Sequence, residues 1–347
     1  MPAADLIYAN QPVSFAKALT KPLWGRRTVL AQDDFQFVEI WLKRRGKRDA
    51  LLYWSQAKNF FDATQPLEIA ASPLTAYYSI LNAVKALLAS KAYPFAEAHG
   101  VSGEGQQSRR SIETETIEIH NRGVLSALSN YLGEKETART HTLSDVLGNL
   151  PFIHRAFSLS RRNSPELFLS LVEPRYVRHP TRDKVWWCAD VVGRDADRRV
   201  LKSLLPKYEI DEGAGGRVVR RRDRVTWFPR SGASSDEKAQ AIARLQAYHH
   251  KIRRDVVLIS ASKDLWYLKR RVAAIRIIER YELTLIMAAM HRLSELARYD
   301  PKGLVKHLEG PSSWLLTEFI ELAPAQFMRL IACDITGLEF RMPGVRR

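Results

Sequence analysis

Cysteine is nearly missing from this chain of 347 residues; only Cys188 and Cys333 occur. Two thiols cannot build a disulfide framework, and no local Cys/His spacing completes a zinc site. A long apolar run is missing too. The most apolar short stretch, 283–290 (LTLIMAAM), is far below the ~20 residues a membrane span requires. Met1-Pro2-Ala3-Ala4-Asp5 has neither the basic start nor the apolar core of a secretory leader. These absences predict a cytoplasmic protein without membrane contact. The nucleotide cradles Gly-x-Gly-x-x-Gly and Gly-x4-Gly-Lys-Ser/Thr do not occur, nor do a Gly-x-Ser-x-Gly elbow or a His-Glu-x-x-His helix. There is no internal repeat and no heptad long enough for a coiled coil. With 46 % hydrophobic residues and only 17 Gly and 16 Pro, disordered, collagen-like and low-complexity classes are excluded.

What the chain does have is positive charge, and its placement is uneven. The balance is 54 − 38 = +16 overall. Residues 1–150 contribute 17 − 15 = +2, residues 151–276 contribute 28 − 14 = +14, and residues 277–347 contribute 9 − 9 = 0. A neutral framework around a basic centre is the electrostatic footprint of a polyanion binder. The densest run holds Arg217, Arg220, Arg221, Arg222 and Arg224, followed by Trp227, Phe228 and Arg230. Arg253 and Arg254 form a second cluster and Lys269, Arg270 and Arg271 a third. Arginine beside aromatics suits phosphate contact with base stacking, which makes DNA or RNA the expected partner. The alternative is a solvated charged face with Trp227 and Phe228 turned inward.

Apolar residues at three- and four-residue spacing predict helices over 35–43 and 50–61. Ser72-Pro73 then starts a strongly apolar, unbroken segment to about Ala89, read as a central buried helix. A Gly-rich polar loop follows at 98–107, then shorter helices at 123–131 and 143–150. Short β-branched and aromatic runs at 167–172, 184–192, 216–219 and 224–228 predict a small antiparallel sheet, with a helix at about 198–205. Asp236 is placed to cap a helix to about Arg254, and later helices are expected at 277–299, 311–322 and 325–331. The expected fold is mainly α (α+β): a helical framework with a small antiparallel β-rich central insertion. Its segments are an arm (1–34), a helical region (35–157), the basic β-rich centre (158–232) and a second helical region (233–347).

On the buried helix Tyr78, Asn82 and Lys85 fall at i, i+4 and i+7 and share one face. An amide and an ammonium there need partners, either a carboxylate elsewhere or a ligand phosphate. His99-Gly100 opens the Gly-rich loop, and this imidazole can serve as acid, base or phosphate contact. Arg298 precedes Tyr299-Asp300-Pro301 at a predicted helix C-terminus, where a positive charge also suits the macrodipole. Arg244 and His249 resemble the Arg-x(4–6)-His motif of the HEPN ribonucleases, with Leu245 where that motif has a polar residue. Glu113, Glu115 and Glu118 with His120 would fall on mixed faces of a strand, reading as solvated surface rather than a metal site. The residues imply no metal and no cofactor.

Taken in order, Tyr53, Gln56 and Phe60-Phe61, then Ser72-Pro73-Leu74-x-x-Tyr77-Tyr78-x-x-x-Asn82-x-x-Lys85-Ala86, His99-Gly100, and Leu296-x-Arg298-Tyr299-x-Pro301, resemble the YaaC-like proteins of bacteria. The likeness covers about 40–330 and is thinnest around 195–235. It implies a bacterial cytosolic, mostly helical protein, and it supplies no catalytic list. It does single out Tyr78, Asn82, Lys85, His99 and Arg298 as the polar members of the matching segments. The residues leave a first functional expectation and two alternatives to it. The first is nucleic-acid binding, in a bacterial defence or nucleic-acid surveillance role. The second is metal-independent RNA cleavage by Arg244 and His249, or phosphate-ester chemistry by Lys85, His99 and Arg298. The third is binding of a phosphorylated, nucleotide-like metabolite or of a partner protein in a pocket beside the Tyr78–Lys85 face, and a homo-oligomer is a further partner expectation.

Overall fold

A computed structural model describes residues 3–105, 111–161, 165–211, 217–261 and 263–341. Four short strands, β1 (Ala4–Asp5), β2 (Ile7–Tyr8), β3 (Gln11–Pro12) and β4 (Val29–Leu30), precede α1 (Asp34–Arg44), α2 (Arg48–Thr64) and α3 (Ser72–Ser90). A three-stranded sheet of β5 (Val101–Glu104), β6 (Thr116–Ile119) and β7 (Thr140–Thr142) follows, with α4 (Val124–Tyr131) inside it in sequence. Helices α5 (Leu143–Gly148) and α6 (His154–Ser160) lead to the main sheet.

That sheet contains β8 (Phe168–Arg178), β9 (Lys184–Val191), β10 (Tyr208–Ile210), β11 (Val218–Arg221), β12 (Val225–Thr226), β13 (Val256–Ile259) and β14 (Leu265–Lys269). Helices α7 (Arg198–Leu201) and α8 (Ser235–Arg253) interrupt this series. The chain closes with α9 (Glu282–Tyr299), α10 (Pro301–Glu309), α11 (Ser313–Thr336) and β15 (Phe340–Arg341), the last pairing with β4.

The expectation of a mainly helical fold with a small β insertion is overturned. The chain is 46 % helix and 20 % strand, an α+β protein with a large curled antiparallel sheet of eight strands. Strand order is β10-β11-β9-β8-β14-β13, with β1 added on β8 and β12 on β9. Two of these strands, β13 and β14, lie in the segment read as purely helical, and β1 lies in the arm. The run Val256-Val257-Leu258-Ile259 is buried along nearly its whole length. A short apolar run of that kind has no period that separates strand from helix.

The predicted helices largely form, with local differences. The cap of α8 is Ser234 rather than Asp236, in a capping box with Glu237. The two helices expected at 311–322 and 325–331 are one, α11, which runs through a buried Pro324. Neighbouring helices cover the bond that proline cannot make, so a proline alone does not end a buried helix.

Two cores result. The first surrounds α3, which is buried nearly all round and packs against α2, α4, α9 and α11. The second lies between the main sheet and α8, where Trp187, Ala189 and Val219 meet Ala241, Leu245 and Tyr248. Alternation along β9 sends Trp186 and Cys188 to the opposite face, into a small cluster with Val177 and Val218. Residues 13–20 pass between the cores. There the Leu19 and Thr20 N–H groups donate to the Asp334 carboxylate on α11, and His249 on α8 donates from Nε2 to the Ala18 carbonyl at 2.8 Å. Both cysteines are buried and unpaired. Among the described residues no helix is long and apolar enough to cross a membrane.

Candidate functional site

The face of α3 carrying Tyr78, Asn82 and Lys85 opens onto two adjoining hollows. The first, a cavity of about 670 Å³, is walled by Tyr77, Tyr78, His99, His291, Glu295 and Arg298, with Arg122 at its rim. The second, about 610 Å³, is lined by Gln56, Asn59, Asn82, Lys85 and Glu97. Tyr78 and His99 belong to both and form the partition. The fold thus brings together all five residues singled out from the sequence, from three segments.

His99 is held by an interlock of two glycines. The chain at 98–100 abuts the start of α4: Val124 N–H donates to the Ala98 carbonyl at 2.8 Å and Leu125 N–H to that of His99 at 3.0 Å. Gly100 adopts φ +79° and Gly123 φ +130°. A Cβ on Gly123 would stand 2.4 Å from Gly100 Cα and N, so only hydrogen fits between the two backbones.

Inside the cavity His99 Nδ1 lies 3.4 Å from His291 Nε2, and the rings are perpendicular with centroids 5.5 Å apart. Tyr77 packs against both, at 5.3 and 4.8 Å. Burial, then the charges of Lys85 and Arg298, hold His99 below the usual imidazole range. Burial, then His99, Arg292 and His120, holds His291 at about 3. Both rings are therefore neutral at pH 7, and one of the two facing nitrogens donates to the other. The buried Tyr77 hydroxyl and His291 Nδ1 have no hydrogen-bond partner among the described residues. Glu295 Oε2 stands 3.7 Å from His291 Nδ1 and is fixed by Arg292 Nη1 at 3.0 Å. Burial pushes the Glu295 carboxyl up from its ordinary value.

Behind Glu295 the polar chain continues inward. Arg292 donates to Glu115 from Nε at 3.0 Å and Nη2 at 2.6 Å, and His307 Nε2 lies 2.9 Å from the other Glu115 oxygen. Burial raises Glu115, but hydrogen bonds from His307 and Arg292 outweigh it and hold the group below its ordinary value. This corrects the reading of Glu115 as solvated surface: it is 1 % exposed. Glu113 instead pairs with Arg161 near the surface. Among the described residues no group of three or more His, Cys, Asp or Glu is arranged to hold a metal ion.

Lys85 has found a carboxylate, as its position required. It donates to Glu97, whose other oxygen accepts from the Tyr53 hydroxyl at 3.3 Å. Asn82 donates from Nδ2 to the Tyr78 carbonyl one turn back, at 2.8 Å. At the mouth of the first cavity Arg122 and Arg298 are exposed, and among the described residues neither pairs with a carboxylate.

The low pKa of His291 has a consequence for stability. With an unfolded value near 6.5 and a folded value of about 3, its contribution is complete above pH 6.5 and is lost as pH falls towards 3. Between pH 7 and pH 5 this one residue removes about 2 kcal/mol. Urea unfolding at both pH values should show His291→Asn with a clearly smaller pH dependence than wild type; equal slopes would mean that His291 is not held neutral.

The family model for YaaC-like proteins matches residues 15–335, nearly the whole chain. The chain belongs to the YaaC-like family. Neither the curated proteins nor the solved structures contain a match to it.

In this YaaC-like chain the other sequence-derived candidates lie apart from the cavity and from each other. His249 is fully buried, accepting at Nδ1 from the Tyr176 hydroxyl at 2.7 Å while Nε2 binds the Ala18 carbonyl. Arg244 is exposed on α8, with Nε donating to the Thr226 carbonyl at 3.1 Å. Five residues apart on a helix they point about 140° from each other, so the ribonuclease-like pair does not assemble.

The basic set is dispersed in a similar way. Arg220 pairs with Glu209 at 2.9 Å and Asp211 at 3.3 Å, and the exposed Arg222 reaches Glu209 at 3.4 Å. Arg221 is buried beside Asp255 at 3.6 Å. Arg253 is buried on Glu282 at 3.1 Å, and Arg254 pairs with Glu279 at 3.2 Å. Trp227 is a core residue packed on Tyr8 and Phe228. Only Arg217 and Arg224 of the predicted set are exposed without a carboxylate among the described residues. As a single cationic face the set fails, because Glu209 and Asp211 at β10, Asp255, and Glu279 and Glu282 at the start of α9 neutralise most of it.

Sequence reasoning missed His291, Glu295, Tyr77 and Arg122. A signal for the first two exists: His291, Glu295 and Arg298 stand at i, i+4 and i+7 on α9, the same spacing that marked Tyr78, Asn82 and Lys85 on α3.

Proposed function

We propose that this YaaC-like chain binds a small phosphate-bearing molecule in the paired hollows, with His99 as the proton-handling group beside it. The observation carrying this reading is the convergence of Tyr78, His99 and Arg298 on one cavity whose wall holds buried polar atoms without partners among the described residues. Arg298 and Arg122 at the mouth suit an anionic group, and a guanidinium fork binds phosphate oxygens in pairs. Tyr78, stacked on Phe60 at 5.4 Å, offers an aromatic wall for a planar ring in the ligand. His99, neutral at pH 7, is placed to accept a proton from a hydroxyl or water attacking a bound phosphate.

A thermal-shift screen of nucleoside phosphates, sugar phosphates and inorganic phosphate tests the reading. A ligand at 100 times its Kd stabilises the fold by about 2.7 kcal/mol. Arg298→Ala should abolish the shift of a bound phosphate compound, and His99→Ala should keep part of it while removing any turnover. If no phosphate-bearing compound raises the melting temperature of the wild-type protein, the assignment is wrong.

A further inference from the structure

The basic centre of the chain does leave unpaired cations, but in a different place. Among the described residues no carboxylate lies within ion-pair distance of Arg182, Lys184, Arg224, Arg230 or Arg244, and all five are exposed. They are contiguous. Thr226 on β12 lies opposite Lys184 on β9, and it receives Lys184 Nζ on its hydroxyl at 2.8 Å and Arg244 Nε on its carbonyl at 3.1 Å. Arg230 Nη2 donates to the His179 carbonyl at 3.0 Å, in the turn joining β8 to β9. The His179 ring meets Trp186 at 6.4 Å, and the Arg224 guanidinium lies over Trp186 at 4.7 Å. Desolvation, then the charges of Arg182, Arg224 and Arg230, holds His179 below its ordinary range.

The nearby acids are already spent. Asp183 bonds Arg178, and Asp223 pairs with Arg221 at 3.3 Å. These five cations therefore remain along one edge face of the sheet, made by the β8–β9 turn and β12, with Lys184 and Arg224 on the Trp186 side and Arg244 reaching the Thr226 backbone from α8.

We propose that this face binds the phosphodiester backbone of a nucleic acid, with Arg182, Lys184, Arg224, Arg230 and Arg244 as the phosphate contacts. Four of the five are arginines, whose planar forks match paired phosphate oxygens. The face carries none of the large exposed apolar side chains, such as Leu30, Leu52 or Trp314, that would anchor it in a membrane surface. It is separate from the cavity of His99, and the two proposals stand or fall independently.

The test uses the full chain and fluorescein-labelled 30-nucleotide RNA and DNA, single-stranded and duplex, with anisotropy read from 50 to 200 mM salt. Five phosphate contacts predict an affinity loss over that range of about 130-fold for single strands and about 500-fold for duplex. The triple variant Lys184→Gln/Arg224→Gln/Arg230→Gln should weaken binding at least tenfold at 100 mM salt and reduce the salt slope by about two. Its unfolding midpoint should stay near wild type, since these side chains are exposed. The double variant Arg220→Gln/Arg222→Gln, drawn from the paired set, should leave affinity nearly unchanged. A preference for RNA or for DNA identifies the polymer, and either one supports the proposal. Equal binding by wild type and triple variant overturns it, as does equally tight binding to vesicles containing anionic lipid.

Discussion

Alanine in place of Gly123 should destabilise the protein by about 2–6 kcal/mol and abolish ligand shifts at the His99 cavity. Two effects combine. The backbone at 123, φ +130° and ψ −177°, lies in a region essentially restricted to glycine, which costs another residue about 1–3 kcal/mol. The added methyl would also stand 2.4 Å from Gly100 Cα and N and 2.7 Å from the Ala98 carbonyl oxygen, and forced overpacking costs about 1–3 kcal/mol. The atoms it displaces are those that seat His99. Gly46→Ala is the control: φ is +63° but nothing lies within 4 Å of its Cβ, so only backbone strain of about 1–2 kcal/mol applies. Urea unfolding of both variants, with a ligand thermal shift on each, separates the two. If Gly123→Ala unfolds like Gly46→Ala and still binds, the interlock does not position the site.

Arg253→Ala should cost about 3–5 kcal/mol, because it leaves Glu282 charged and buried without its partner. The pair is closed from water, with side chains 0 % and 3 % exposed, and Arg253 also donates to the Val256 and Lys17 carbonyls. Its guanidinium lies over Trp266 at 5.0 Å. Replacing both partners by apolar residues of similar size, Arg253→Met with Glu282→Leu, should recover most of the loss, since neither charge then has to be desolvated. The next residue behaves differently: Arg254 pairs at the surface with Glu279, and Arg254→Ala should cost about 1 kcal/mol or less. Denaturant curves of the three variants decide the matter. A mild Arg253→Ala would place its charge in contact with water and reopen its reading as a nucleic-acid contact.

Arg253 and Arg254 show how far the sequence could be read. Neighbours in one basic cluster, they have opposite environments, and nothing local distinguishes them. Their acids, Glu282 and Glu279, lie 25 or more residues away. Charge counts locate cations along the chain but not the carboxylates that fold back onto them. Spacing on one helix was legible: Tyr78, Asn82 and Lys85 do share the face that opens onto the hollows. The matching pattern on α9 went unread because His291 lies in an apolar helix and resembles a satisfied core histidine. The first cavity joins Tyr78 to a loop 21 residues later and to a helix more than 200 residues later, and no local rule reaches that far. The sheet was underestimated for a related reason. Strands β13 and β14 are short and apolar, and only the pairing of β14 with β8, and of β13 with β14, makes them strands.

The segment that passes between the two cores also constrains how the protein comes into being. Leu19 and Thr20 rest on Asp334, and Lys17 Nζ donates to the Phe340 carbonyl at 2.8 Å. A ribosome adding about 5–20 residues per second needs on the order of 15–60 s to go from one end of these contacts to the other. Throughout that interval Leu19 and Thr20 lack the carboxylate they rest on, although Ala18 can already meet His249 on α8, so the joint between helical half and sheet half is sealed only once α11 has been made. A nascent chain halted before α11 would carry an open seam, and that is the stage at which a chaperone would find it.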